Sequence, residues 1–216
     1  MLNLIGDSSE EPRSTRQRIL EAAVEVFAGK GYHEARVDEI VDVSKTSKGA
    51  VYSYFPSKER MFLALVDEFA GLLEKRLEEA MAGEESDIRR VDAALSTCLD
   101  TFGRYRKLAK IFLVQAAGLG TAFEQKRLEV HDRFAGVIKS HLDQAVAGGD
   151  IPPLDTQVAA YAWMGAIYEV VIRWVYSGQP EPEQVLPTLR TMLLRSIGVS
   201  EERIRQLDSG TDVSGG

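Results

Sequence analysis

The sequence predicts an all-α protein of one or two compact domains. Apolar residues recur every three or four positions along nearly the whole chain, which is the spacing of amphipathic helices. Alternating runs of β-branched residues are scarce, so no strand is predicted. The chain has 216 residues, 44% of them hydrophobic, and is therefore long enough to bury a sizeable core.

Capping residues and glycines place the helices. The first should begin near Ser14 or Thr15 and end at 29–31, because hydroxyl side chains cap helix N-termini and glycine permits a left-handed exit. Its inner face is predicted to contain Ile19, Ala23, Val26 and Phe27. Further helices are predicted at 37–44, 47–53, 57–81, 87–103, 104–118, 121–147, 154–177 and 182–197, followed by a short terminal turn.

Charge is unevenly distributed along the chain. The net charge of −7 argues against a nucleic-acid-binding surface over the whole protein, because phosphate neutralisation needs lysine and arginine. Residues 13–60 carry nine lysines and arginines against seven acidic residues, whereas residues 61–216 carry 17 against 23. Only the first part can face DNA.

Residues 36–55 have the organisation of a helix-turn-helix. Two short amphipathic helices are joined by a tight turn around Lys45 and Thr46, and the outer edge of the second helix is polar and small. A recognition helix needs such an edge to enter a major groove about 12 Å wide. The apolar residues that can close against the first helix are Val37, Ile40, Val41, Val51 and Phe55.

The residue types at this outer edge suit DNA. Ser47 and the helix amides can bond phosphate oxygens, Lys48 can reach the O6 and N7 acceptors of guanine, and Gly49 lets the backbone approach the bases. The alternative packs one of the tyrosines into the core and leaves the lysines solvated. The predicted DNA contacts, of which Tyr52, Tyr54 and Lys58 would bind flanking phosphates, are Arg36, Lys45, Thr46, Ser47, Lys48, Gly49, Tyr52, Ser53, Tyr54 and Lys58.

The same stretch resembles the N-terminal domain of the tetracycline-repressor-like (TetR) family. The likeness lies in Phe27-Ala-Gly-Lys-Gly-Tyr32, Val37-Asp-Glu-Ile40 and the run Ser47-Lys-Gly-Ala-Val-Tyr-Ser-Tyr-Phe-Pro-Ser-Lys-Glu59. Where the family usually has glycine and then an aliphatic residue in the turn, this chain has Lys45 and Thr46. The resemblance implies a homodimeric transcription repressor that a small effector releases from double-stranded operator DNA. The lack of a predicted membrane span or secretory signal leads us to expect that it is cytoplasmic.

A domain division follows from this resemblance. We expect a disordered N-terminus at 1–12, a helix-turn-helix DNA-binding domain at 13–56, a ligand-binding and dimerisation domain at 57–207, and a disordered tail at 208–216. The last two long helices would form a four-helix bundle with those of a second copy. Two-fold pairing would set the recognition helices about 34–36 Å apart and require a pseudo-palindromic operator. Effector binding is hypothesised to tilt the long helix that starts at Ser57.

The resemblance also implies a ligand pocket, for which the sequence offers candidates. Aromatic residues and methionine at helical spacing are alternatively core residues, and the i, i+4 pair Glu169 and Arg173 is alternatively an ion pair inside the protomer or across the dimer interface. An acyl-CoA-like effector, whose acidic headgroup 104–107 and 126–127 could meet, and a multidrug-like apolar effector both stay open. The candidates are Phe102, Tyr105, Phe112, Gln115, Trp163, Met164, Tyr168, Glu169 and Arg173.

Other classes of protein receive less support. His33, His131 and His141 are scattered, and no zinc, catalytic-triad or phosphate-loop spacing occurs, so we expect no enzyme, metal or cofactor. No apolar run approaches the roughly 18 residues of a membrane span. Cys98 is interpreted as a core thiol, with a redox sensor as the alternative. A non-catalytic helical interaction or scaffold protein is the remaining alternative, and it would not bind DNA.

Overall fold

The computed structural model describes residues 14–84, 86–115 and 120–209, and it confirms the all-α fold class over these residues. The predicted disordered ends lie outside them, apart from 208–209. The described elements, in chain order, are α1 (Thr15–Lys30), α2 (Val37–Ser44), α3 (Lys48–Tyr54), α4 (Lys58–Ala82), α5 (Asp87–Arg104), α6 (Arg106–Lys110), a π-helical turn (Ile111–Gln115), α7 (Thr121–Gly148), α8 (Thr156–Ser177), α9 (Pro182–Ser196) and α10 (Glu201–Ser209).

Helix α1 begins and ends where the sequence predicts. The Ser14 hydroxyl accepts from the backbone N–H of Gln17 at 3.2 Å, and the Gln17 side chain accepts from the Ser14 N–H at 2.8 Å. This reciprocal cap satisfies two of the backbone donors that a helix start leaves free. Gly31 ends the helix with φ 84°, which favours glycine. All four residues predicted for the inner face are buried.

Two predicted elements differ from the structure. The helix predicted at 104–118 is a five-residue helix, α6, followed by the wider turn Ile111–Gln115. Tyr105 separates α5 from α6 with φ −108° and ψ 43°, outside helical geometry. The predicted terminal turn is the nine-residue helix α10.

The described chain divides into two compact units. The first contains the residues up to Leu72 together with Tyr105–Arg127, and the second contains Leu73–Arg104 together with the residues from Leu128 onward. Helix α4 therefore contributes to both units. The functional boundary predicted at 56/57 is a different division and remains a prediction.

Helix α8 is the most apolar element of the second unit. By length and composition alone it could cross a membrane, a test that the core helix of a soluble protein also passes. One face of α8 is buried, and the indole N–H of Trp163 donates to the Ser196 hydroxyl on α9 at 3.0 Å. The opposite face carries exposed Val158, Tyr161 and Tyr176.

Candidate DNA-binding site

Helices α2 and α3 lie on α1 and are joined by a three-residue turn. Ile40 and Val51 are fully buried and Phe55 nearly so, while Val37 and Val41 are half-buried. These residues fix one face of each short helix, which is necessary because helices of seven and eight residues are not stable alone.

The turn depends on a left-handed residue. Lys45 has φ 52° and ψ 43°, the conformation for which glycine is usually selected. The hydroxyls of Ser44 and Thr46 are hydrogen-bonded at 2.7 Å, and the Thr46 N–H donates to the Val41 carbonyl at 3.4 Å. Thr46, predicted to contact DNA, is thus half-buried and helps to form the turn.

The start of α3 is open. The Ser47 hydroxyl caps the helix by accepting from the backbone N–H of Ala50 at 3.1 Å, and its own hydrogen remains able to donate to a phosphate. A Cβ atom on Gly49 would meet only the Ser47 hydroxyl, at 3.9 Å. The fold of the protomer therefore does not need a glycine here, whereas close approach of the backbone to a base would.

The outer edge of α3 is exposed along its length. Tyr52 and Tyr54 are 43% and 48% exposed, and Ser53 between them is exposed as well. The alternative that one tyrosine packs in the core is therefore wrong. Two phenol groups at this edge are available to donate to phosphate oxygens.

Three cations lie around this edge, and an unpredicted carboxylate lies among them. Arg36, Lys45 and Lys48 are all exposed. The Lys48 ammonium lies 2.7 Å from one carboxylate oxygen of Asp38, and the Arg36 guanidinium lies 3.9 Å from the other. The hydrogen bond from Lys48 lowers the pKa of Asp38, and the same bond raises the pKa of Lys48. Sequence analysis missed Asp38 because ten positions separate it from Lys48.

Lys58 has a different role from the one predicted. Its ammonium donates to the backbone carbonyls of Tyr32 at 2.7 Å, His33 at 3.2 Å and Ala35 at 2.9 Å. It also lies 4.5 Å from the centre of the Tyr32 ring, within cation–π range. All three ammonium hydrogens have acceptors, so this side chain joins α4 to the α1–α2 loop and is not free for a flanking phosphate.

An aromatic cluster continues this junction within the first unit. The ring of Phe62 on α4 contacts Phe27, Tyr32 and Phe123 with centroid distances of 5.4, 5.1 and 5.1 Å. Phe123 lies in the first turns of α7 and is buried. Helix α1 with the loop that follows it, the start of α4 and the start of α7 thus share one core.

The ligand candidates of the second unit divide by burial. Phe102 and Trp163 are buried and Met164 is half-buried, whereas Tyr168, Glu169 and Arg173 are exposed. Glu169 and Arg173 form an ion pair of 2.7 Å on the surface, with side chains 58% and 73% exposed. The prediction that this pair anchors a ligand inside the protomer is therefore not supported, because both side chains point to solvent.

The other ligand candidates belong to the first unit. Tyr105 is half-buried and precedes α6, and half-buried Phe112 packs on Phe69 with a centroid distance of 5.4 Å. The side chain of Gln115 lies outside the described residues. Several nearby cations predicted to meet an acidic headgroup have carboxylate partners, namely Arg104 with Asp100, Lys107 with Glu25, Lys126 with Asp67 and Arg127 with Glu124.

Cys98 is partly buried, and its environment disfavours a reactive thiolate. Desolvation by burial raises the pKa of its thiol to about 12, so the reactive thiolate is scarce at neutral pH. Among the described residues, no group of three or more histidine, cysteine, aspartate or glutamate side chains could hold a metal ion.

A helix-turn-helix with a polar, cation-bearing outer edge, followed by a larger helical region, defines the class of protein: a DNA-binding transcriptional regulator. Residues 19–65 match the family model described as "Bacterial regulatory proteins, tetR family". This N-terminal part of the chain is therefore similar to the DNA-binding domain of that family.

Relatives and solved structures extend the likeness over most of the chain. The "Fatty acid metabolism regulator protein" of Bacillus subtilis is 26% identical over 171 residues, which cover 79% of this chain and 88% of the relative. The fatty acid degradation regulator FadR of Bacillus halodurans superposes with a TM-score of 0.80 at 22% identity, covering 88% of this chain and 100% of that one. FadR of Bacillus subtilis, solved in complex with stearoyl-CoA, superposes with a TM-score of 0.77 at 23% identity, covering 85% and 98%.

Proposed function

We propose that the protein is a cytoplasmic homodimeric repressor that binds a pseudo-palindromic operator through α3 and is released by an acyl-CoA. The observation that carries the DNA-binding part is the exposed outer edge of α3, where Ser47, Lys48, Gly49, Tyr52 and Tyr54 are all accessible. A helix that serves only to hold a scaffold protein together does not need a cationic side chain and an exposed glycine on its solvent-facing edge.

We propose a role for each residue of this surface. Lys48 is proposed to contact base edges, with Gly49 allowing close approach. Phosphate contacts are proposed for Arg36, Lys45, Ser47, Ser53 and the two tyrosines. Thr46 positions the turn, and Lys58 leaves the set because its ammonium is bonded to backbone carbonyls.

The dimer is proposed to form through α8 and α9. The outer face of α8 exposes Val158, Tyr161, Tyr168 and Tyr176, and α9 exposes Met192. Large apolar side chains on one contiguous helix face are typical of a surface that a partner covers. Glu169 and Arg173 would lie at the edge of this face.

The acyl-CoA effector is favoured over a multidrug-like one. The support is the likeness to a fatty acid metabolism regulator over most of both chains, and to a FadR solved with stearoyl-CoA. Phe102, Met164 and Trp163 remain candidates for an apolar lining. Tyr105 and Phe112 are candidates on the other unit.

The DNA-binding function is tested with duplexes recovered from a random-sequence pool by the wild-type protein. Fluorescence anisotropy should give an affinity for the recovered duplex about 10³-fold or more above that for a scrambled duplex, decreasing as salt rises. A Lys48→Ala, Tyr52→Ala double variant should keep its helical content and lose this affinity. The control variant Lys139→Ala, at a half-buried lysine of the second unit, should keep it. A pool without enriched sequences would favour the scaffold interpretation.

A further inference from the structure

The contact between Asp38 and Lys48 contributes little to folding stability. Both side chains are more than half exposed, at 53% and 60%, and exposed ion pairs contribute little to stability. Helix α2 also does not need Asp38 for capping, because Glu39 accepts from the Arg36 backbone N–H at 3.0 Å and pairs with Lys30. A carboxylate at this place even has a cost, since it repels the phosphates that the surrounding cations attract.

The two groups together have the hydrogen-bonding pattern of one kind of base pair. An ammonium supplies only donors and a carboxylate supplies only acceptors. In the major groove, a G·C pair presents the O6 and N7 acceptors of guanine beside the N4 donor of cytosine. The Lys48 ammonium and the Asp38 carboxylate lie 2.7 Å apart and are both exposed. They therefore match the acceptors and the donor of a G·C pair.

We propose that Asp38 is a specificity-determining residue, which accepts a hydrogen bond from the cytosine of a G·C pair whose guanine is bound by Lys48. This inference rests on the proposed DNA-binding function. At an A·T pair in the same orientation the carboxylate would face the O4 acceptor of thymine, and the mismatch would weaken binding. On DNA of unrelated sequence the carboxylate stays without a donor and holds Lys48 away from the phosphates.

The Asp38→Asn variant tests this assignment, because asparagine keeps the shape and supplies both a donor and an acceptor. Selection from a random-sequence pool should give a G·C pair in each half-site with the wild-type protein and a relaxed preference at that one position with the variant. In anisotropy titrations, replacing this pair by A·T should weaken wild-type binding about tenfold or more and variant binding much less.

Affinity for a scrambled duplex provides a second readout. Lys48 is freed for one more phosphate, so the variant should bind scrambled DNA about threefold to tenfold more tightly at 0.1 M salt, with a salt slope steeper by about one per protomer. The matched control is Asp42→Asn, which removes the same charge from an exposed position one turn further along α2. It should leave the base preference unchanged.

The possible results distinguish a failure of the Asp38 assignment from a failure of the proposed DNA-binding function. Equal effects of Asp38→Asn and Asp42→Asn, or an unchanged base preference in Asp38→Asn, would mean that Asp38 acts through its charge alone and would overturn the assignment. Failure of the wild-type protein to enrich any sequence would overturn the DNA-binding function itself. Thermal melts of both variants check that the fold is retained.

Discussion

Lys58 donates to three backbone carbonyl groups of the α1–α2 loop. Replacement by methionine keeps the apolar stem but leaves the carbonyls of Tyr32, His33 and Ala35 without the ammonium. We expect Lys58→Met to lower the free energy of unfolding by about 1–3 kcal/mol in urea titrations. Lys139→Met, which removes an exposed i, i+4 pair, should change it by less than about 0.5 kcal/mol. An unchanged stability together with weaker DNA binding would restore Lys58 as a phosphate contact.

The ion pair between Asp38 and Lys48 should be detectable in the pKa of the Asp38 carboxyl group. Because Lys48 lowers the pKa of Asp38 in the folded state, the pair stabilises the fold above the pKa of the unfolded chain, and this contribution is lost as the pH falls through the folded-state pKa. In a carbon-13 NMR titration, Lys48→Met should move the pKa of Asp38 up towards its ordinary value. Asp143, whose pKa is lowered by Lys139 and Thr156, is the internal reference and should not move. A constant pKa of Asp38 would mean that the pair does not form in solution.

For single residues, the sequence predicts the exposure of a side chain better than it predicts the groups that the side chain contacts. The residues expected at the outer edge of α3 are exposed because helical periodicity fixes their direction once Val51 and Phe55 are buried. The partners of Lys48 and Lys58 lie ten and 23 to 26 positions away. No local pattern encodes such contacts, since they arise only when the turn and the loop are folded.

The turn between α2 and α3 carries a measurable strain. Lys45 adopts φ 52°, where the Cβ of an L-residue crowds its own backbone. Lys45→Gly should therefore raise the free energy of unfolding by about 1 kcal/mol. Lys45→Ala removes the amine but keeps the Cβ, and it should leave stability nearly unchanged. Equal stabilities of the two variants in chemical denaturation would show that the left-handed conformation is not the cause.

Helix α1, which has a capping serine and a terminal glycine, is predicted well, whereas the wide turn after α6 is not. Ser14, Gly31 and the buried stripe of α1 are local signals, and the structure places the helix accordingly. Gly103 lies close to the break at Tyr105, and the predicted helix boundary at 103/104 falls there, but the wide turn Ile111–Gln115 has neither glycine nor proline to mark it. Apolar spacing continues through this region, so periodicity predicts one helix where packing within the first unit produces two different geometries.

The proposed dimer can be disrupted by a substitution that does not disturb the fold of the protomer. Gly165 lies on the exposed face of α8, and a Cβ there would meet nothing within 4 Å. Gly165→Arg should therefore fold but be monomeric in sedimentation experiments, with a large loss of operator affinity because a single recognition helix contacts a single half-site. Gly136→Arg on α7 also replaces an exposed glycine with free space around it and should remain dimeric. If both variants remained dimeric, the dimer interface would have to lie elsewhere.

The coupling between effector and operator has a thermodynamic signature that does not depend on the location of the pocket. If stearoyl-CoA weakens operator binding by a given factor, operator DNA must weaken stearoyl-CoA binding by the same factor. We expect a factor of about 5–150, corresponding to a coupling of about 1–3 kcal/mol. Anisotropy with labelled operator measures one side of the cycle and calorimetry with and without operator measures the other, with free coenzyme A and stearate as controls. Equal operator affinity in the presence of bound stearoyl-CoA would exclude it as the releasing effector, because a ligand with the same affinity for both states cannot shift their populations.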